Sequence, residues 1–211
     1  MKVLILLDMN GTLILDSKVF FKCKLHPKKI GKKIVYLRPN YDSLLEKLLA
    51  HPKITVALYS SMILRNLIVN AREMLKSNKL VEQKSKLNIL FDRTYNIHDP
   101  EGKHKHDTMR DLNLVWKDPM LEGEFGPTNT IMIDDDMHKV RNYKENAIVI
   151  YAFTKEHLIN RKPNNHYYME ALGDYLVNLV DDYKDDIRIR LKEKPFQPDI
   201  CKYYTPDPYL N

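Results

Sequence analysis

Asp8 stands immediately after the apolar run Lys2–Leu7 and opens the segment Asp8-Met9-Asn10-Gly11-Thr12. Two more apolar runs end in the same abrupt way: Ile54–Tyr59 runs into Ser60-Ser61, and Thr130–Ile133 runs into Asp134-Asp135-Asp136. Carboxylates in such number, with the basic side chain of Arg110 opposing them, suit a hard divalent cation together with a phosphoryl group. Mg²⁺ takes oxygen ligands, and it would shield a phosphate from carboxylate repulsion. Asp8 could then attack phosphorus and form an aspartyl-phosphate.

Each residue also has a plainer reading when taken singly. Asp-x-Asn-Gly is a common turn sequence, and the rest of a calcium-binding loop, including its terminal Glu, is missing. Ser60 could cap a helix beginning at Met62, and the Asp134–Asp136 run could simply favour a helix N-terminus. The ordered occurrence of all of them at the ends of apolar runs is what points to a site.

The elements that would position these residues follow from hydrophobic patterning. Apolar runs of this kind read as strands covered on both faces. Helical spacing is expected over Tyr41–Ala50 after the Arg38-Pro39 turn, over Met62–Lys76 and over Asp107–Trp116, with a further strand at Ala147–Tyr151 and one or two helices between Tyr167 and about Lys192. Asp92–His106 reads as a hairpin or loop insertion. Alternating strands and helices predict a mostly parallel sheet between helical layers, with ligands bound beyond the carboxyl ends of the strands. That edge would bring Asp8, Asn10, Ser60, Arg110 and Asp134/Asp135 together.

Length and composition set the frame. The 211 residues, 44% hydrophobic and 29% charged, describe an ordinary globular chain. One α/β domain is expected over residues 1–194, with a Pro- and Tyr-rich tail over 195–211 that cannot be regular helix. Cys23 and Cys201 lack metal-ligand spacing, which fits a reducing intracellular setting, cytoplasmic or nuclear. The run near the start is too short to span a bilayer and lacks a signal-peptide pattern, so no membrane role is expected. Formal charge is +6, and Lys22, Lys24, Lys28, Lys29, Lys32 and Lys33 fall in one short stretch with His26. Such a stretch can attract anions but more often is simply solvated. The same solvated reading applies to His98, His104 and His106, which lack a fourth ligand. Tyr36, Tyr41 and Tyr59 read as packing residues.

These segments together resemble the haloacid dehalogenase superfamily. Within it, Arg38-Pro39 followed by a helix, Arg110-Asp111-Leu112 and Thr130–Asp135 are similar to the phosphatases of the RNA polymerase II C-terminal domain, also called NLI-interacting-factor-like phosphatases. The resemblance implies a Rossmann-like three-layer sandwich with no large cap domain, and hence an open site suited to a phosphorylated protein such as the polymerase C-terminal domain. It implies that Asp8 is the nucleophile and, with the main chain at Asn10 and the carboxylates of Asp134 and Asp135, a Mg²⁺ ligand. Ser60 would bind phosphoryl oxygens, and Arg110 would occupy the place of the family's neutralising lysine, with Lys117 as the alternative; Ser61, beside Ser60, is a further candidate for contact with the substrate. Where working members carry an acid-base aspartate, this chain has Asn10, so slow turnover or a purely phosphoprotein-binding scaffold is implied. A phosphatase of nucleic-acid ends is a less favoured alternative, suggested by the lysines.

Overall fold

A computed structural model describes residues 1–104, 107–121, 123–159 and 165–197. Five parallel strands form the central sheet in the order β10-β9-β1-β5-β6, comprising Ala147–Val149 (β10), Thr130–Asp134 (β9), Val3–Leu7 (β1), Ile54–Tyr59 (β5) and Ile89–Phe91 (β6). All five residues of β1 are buried, as a strand flanked on both sides and covered on both faces must be.

Alternation along β1 divides the core into two layers. Val3, Ile5 and Leu7 pack with Leu44 and Leu48 of helix Tyr41–Ala50 (α1) and with Leu172 and Leu176 of helix Asn165–Asp181 (α6). Leu4 and Leu6 face the other way, against Leu112 and Val115 of helix Leu112–Trp116 (α3) and Val140 of helix Met137–Val140 (α4). Helix Leu64–Met74 (α2) buries Leu67, Ala71 and Met74 in the first layer, and the helix Ile187–Glu193 (α7) adds Ile187 and Leu191 to it. A short helix, Lys155–Ile159 (α5), completes the set. The described residues thus form an α/β three-layer sandwich with no large cap among them.

Two antiparallel insertions flank the carboxyl edge of the sheet. The first has strands Ile14–Ser17 (β2), Lys28–Ile30 (β3) and Lys33–Leu37 (β4) in the order β2-β4-β3, and carries the lysine-rich stretch. Its six lysines between residues 22 and 33 are all exposed, with Lys33 paired to Asp16 and Lys28 lying 3.7 Å from Glu73.

The second insertion is a hairpin of Asn96–His98 (β7) and Thr108–Arg110 (β8), with Asn96 opposite Arg110. The sequence predicts helix over Asp107–Trp116, but Arg110 ends a strand and helix begins only at Leu112. Asp111 separates the two, accepting a hydrogen bond from the Asn113 N–H as the helix N-cap. Likewise α2 starts at Leu64 rather than Met62. In the tail region Phe196 is half-buried, its ring 5.2 Å from that of Tyr175. Cys201 and most of the tail lie outside the described residues.

Candidate active site

Strand register brings the three polar run ends to one edge. Leu7 pairs with Leu58 on one side and Ile133 on the other, so Asp8, Ser60 and Asp134 emerge side by side at the same end of the sheet. The Asp8 N–H donates to the Ile133 carbonyl at 2.9 Å, and the Ser60 N–H to the Phe91 carbonyl at 2.9 Å, which fixes both loops as they leave the sheet. Gly11, at φ 94°, turns the Asp8 loop back, and a Cβ there would collide with the Asp135 carboxylate.

One carboxylate oxygen from each of Asp8, Asp134 and Asp135 can lie within 4.8 Å of the others, the spacing of a metal-ligating group. Asp8 is 3% exposed and Asp134 fully buried. Between them sits Arg110, itself 1% exposed. Its Nη2 donates to Asp8 Oδ1, its Nε to Asp134 Oδ2 at 2.9 Å and its Nη1 to Asn96 Oδ1 at 2.9 Å. The ring of Tyr59 lies beneath the guanidinium, 4.7 Å from Cζ. Burial works to lower the basicity of Arg110, but the adjacent Asp8 and Asp134 carboxylates outweigh it and raise it.

Asp8 Oδ2 is buried without a hydrogen-bond partner. Burial, and then the neighbouring Asp134 charge, push the Asp8 carboxyl up to about 7 despite Arg110. Burial and Asp134 also raise Asp135. Three carboxylates set against Arg110 and Lys139 still leave an excess of negative charge, and one oxygen among them is orphaned. A divalent cation fits both facts, since it supplies the missing charge and takes oxygen ligands.

The other sequence candidates fall into place around this centre. The Ser60 hydroxyl accepts from the Met62 N–H at 3.2 Å, as a cap does, while remaining beside Asp8 at the sheet edge. Ser61 Oγ lies 3.5 Å from Arg110 Nη1 and 3.0 Å from Thr108 Oγ1. Asn10 is exposed, and its Oδ1 accepts from the Asp16 N–H at 2.8 Å, tying the loop to β2.

Lys117 lies elsewhere. It is exposed at the C-terminus of α3, next to Trp116, whose indole N–H donates to Thr130 Oγ1 at the start of β9. A rise of about 3.3 Å per residue sets Thr130 roughly 13 Å from Asp134 along that strand. Of the histidines, His98 ends β7 and His104 lies in the hairpin loop, outside the metal-spaced group found among the described residues, and His106 is not among those residues.

Three residues with a place in the site had no such signal in the sequence. Asn96 orients Arg110 and also donates from Nδ2 to the Ser60 carbonyl at 3.1 Å, while Tyr59, expected only to pack, carries the guanidinium on its face. Lys139 is close enough to lower the pKa values of both Asp8 and Asp135.

Comparison with known proteins follows the same lines. The family model described as NLI interacting factor-like phosphatase matches residues 3–188. No curated protein matches the chain. Among solved structures, that of Fcp1, an essential RNA polymerase II CTD phosphatase, is similar at TM-score 0.54 and 10% identity over 91% of this chain and 70% of that one. A fission yeast Fcp1 variant bound to beryllium fluoride aligns at TM-score 0.47 and 12% identity, over 96% of this chain and 54% of the other. With the family model spanning nearly the whole α/β body and its acidic edge, the chain belongs to the NLI interacting factor-like phosphatases.

Proposed function

We propose that this chain is a Mg²⁺-dependent phosphoprotein phosphatase that works through an aspartyl-phosphate on Asp8. The observation that carries the reading is the buried Asp8 carboxylate, held on one oxygen by Arg110 and without a partner on the other. Asp8, Asp134 and Asp135, with the main-chain carbonyl of Asn10, would hold the cation. When bound, it keeps Asp8 ionised and offsets charge on the phosphoryl group.

Arg110 holds Asp8 Oδ1 in place and presents fixed charge to the phosphoryl oxygens, as a planar fork that a lysine could not reproduce. Ser60 and Ser61 complete the cradle at the neighbouring strand end. The flanking insertions leave the site without a large cap, which suits a phosphorylated segment of another protein. The Fcp1 likeness suggests a polymerase C-terminal-domain type of substrate inside the cell, in cytoplasm or nucleus. No helix among the described residues is long and apolar enough to cross a membrane.

Asn10 shapes the expected chemistry. An amide cannot protonate a leaving oxygen, and general acid help is worth ~10²–10⁴-fold, so alkoxide leaving groups should be poor and aryl esters better. The same residue favours a second reading, a phosphoprotein-binding scaffold that keeps the pocket without turnover. The exposed lysines of the first insertion favour a nucleic-acid-end phosphatase less directly, and steep salt dependence of nucleic-acid binding would be its mark.

An assay of wild type, Asn10→Asp and Asp8→Asn on p-nitrophenyl phosphate with Mg²⁺ separates the readings. Turnover abolished by Asp8→Asn is the expected result. Phosphopeptide binding without turnover, even in Asn10→Asp, would make the chain a scaffold instead.

A further inference from the structure

The proposed reaction leaves one proton without an acceptor. When water attacks the phosphorus carried by Asp8, a proton must leave the water, and Asn10 cannot take it. Nearby carboxylates are already engaged: Asp134 accepts from Arg110 and from the Asp136 N–H, and Asp135 lies 3.5 Å from the Thr12 hydroxyl.

A cleft of about 510 Å³ is lined by Ser61, Thr108, His138 and Lys139, and it meets the site through Ser61, whose Oγ lies 3.5 Å from Arg110 Nη1. His138 is 47% exposed there, and its Nε2 lies 2.7 Å from Asp99 Oδ2. Asp99, only 2% exposed, is gripped at both oxygens by Arg141, with Nη2 at 2.6 Å from Oδ1 and Nη1 at 3.3 Å from Oδ2. The Arg141 hydrogen bond is the main influence that holds the Asp99 carboxyl down to about 2.

Held by Arg141, the Asp99 carboxylate accepts at His138 Nε2, and in the neutral imidazole that leaves the lone pair on Nδ1. Asp136, whose carboxylate accepts from the His138 N–H at 2.9 Å, anchors the residue's backbone at the start of α4. The charged groups around the imidazole are Asp99, Asp107, Asp136 and Glu101 on the acidic side, with Arg141, Lys139 and Lys103 on the basic side.

We propose that His138, oriented by Asp99, is the general base for hydrolysis of the phosphoenzyme. This inference rests on the phosphatase reading above. Water oxygen forms a bond to phosphorus as the bond from phosphorus to Asp8 breaks. The water proton passes to His138 Nδ1, Asp8 leaves as carboxylate, and inorganic phosphate departs. His138 later returns its proton to solvent. The base acts in the second step only, so the bias of the first step towards aryl leaving groups is unchanged.

Rapid mixing of the full chain with p-nitrophenyl phosphate and Mg²⁺ tests this. In His138→Gln, a burst of nitrophenolate equivalent to the enzyme concentration is expected, followed by a steady-state rate ~10²–10⁴-fold below wild type. Phosphorylated enzyme, measured by intact mass, should accumulate, Asp99→Asn should shift both readouts the same way, and Asn10→Asp added to His138→Gln should restore turnover. An unchanged steady-state rate overturns the proposal. Loss of burst and turnover together also overturns it, because His138 would then serve only to clamp the hairpin to α4. If wild type gives neither burst nor turnover, the phosphatase reading fails and this inference falls with it.

Discussion

Two arginines are buried to the same degree in this molecule, Arg38 and Arg110, each 1% exposed, yet their surroundings differ in almost every respect. Arg110 meets two carboxylates, an amide oxygen and a tyrosine face. Arg38 donates from Nη1 to the Thr12 carbonyl at 3.1 Å, while its Nε and Nη2 are buried without partners. The rings of Phe153 and Tyr168 lie against it, at 5.8 Å and 5.2 Å from Cζ. Burial accordingly lowers Arg38 to about 10, whereas neighbouring carboxylates raise Arg110. The difference separates a charge set against carboxylates from one used as a brace: Arg110 offsets the charge of Asp8 and Asp134, and Arg38 holds the loop that follows Asp8 against the aromatic wall.

Removing either charge tests that contrast. Arg110→Met should have the largest effect, since it leaves Asp8 and Asp134 buried and uncompensated at a cost of roughly 3–5 kcal/mol. Chemical denaturation should show that loss, and turnover on an aryl phosphate should vanish. Arg110→Lys should keep the fold but lose much of the rate, because one ammonium cannot span Asp8, Asp134 and Asn96. Arg38→Met should cost far less, about 1 kcal/mol for the hydrogen bond to Thr12, offset by removal of two unsatisfied donors. Its rate loss should fall well short of the ~10²-fold that a 1 Å misplacement can produce. Equal losses in the two variants would erase the distinction.

A smaller effect sharpens the acidic side of the comparison. Asp8 ionises in the unfolded chain near 3.8 but in the cation-free fold only near 7, so the fold loses stability as pH climbs through that interval. Mg²⁺ binding needs the carboxylate, so the rise in Tm produced by Mg²⁺ should be slight near pH ~5.5 and larger near pH ~8. Asp8→Asn should flatten that dependence, which thermal melts at the two pH values would read.

What the sequence discloses about this site depends on how each residue arrives there. Asp8, Ser60 and Asp134 were legible because each ends an uninterrupted apolar run, and parallel strands carry their carboxyl ends to one edge whatever the loops do. Arg110 was found through the Asp-Leu that follows it, yet its element was misjudged. Thr108–Arg110 is too short for strand periodicity to show, and only pairing with Asn96–His98 makes it a strand. Lys117 is nearer to Asp134 in sequence than Arg110 is, but α3 carries it back along the sheet to the far end of β9. Asn96, Tyr59 and the pairing of Asp99 with His138 had no local signature, because their roles exist only across contacts between separate insertions and the sheet edge.

Asp8, Asp134 and Asp135 should share one pocket with a cation and a phosphoryl group. A crystal structure of the full chain grown with Mg²⁺ and beryllium fluoride tests it most directly. The fluoride adduct is expected on the Asp8 carboxylate, in contact with Arg110, with Mg²⁺ held between it and Asp134 or Asp135. Mg²⁺ bound elsewhere, with Asp8 unmodified and its second oxygen still lacking a partner, would contradict the account.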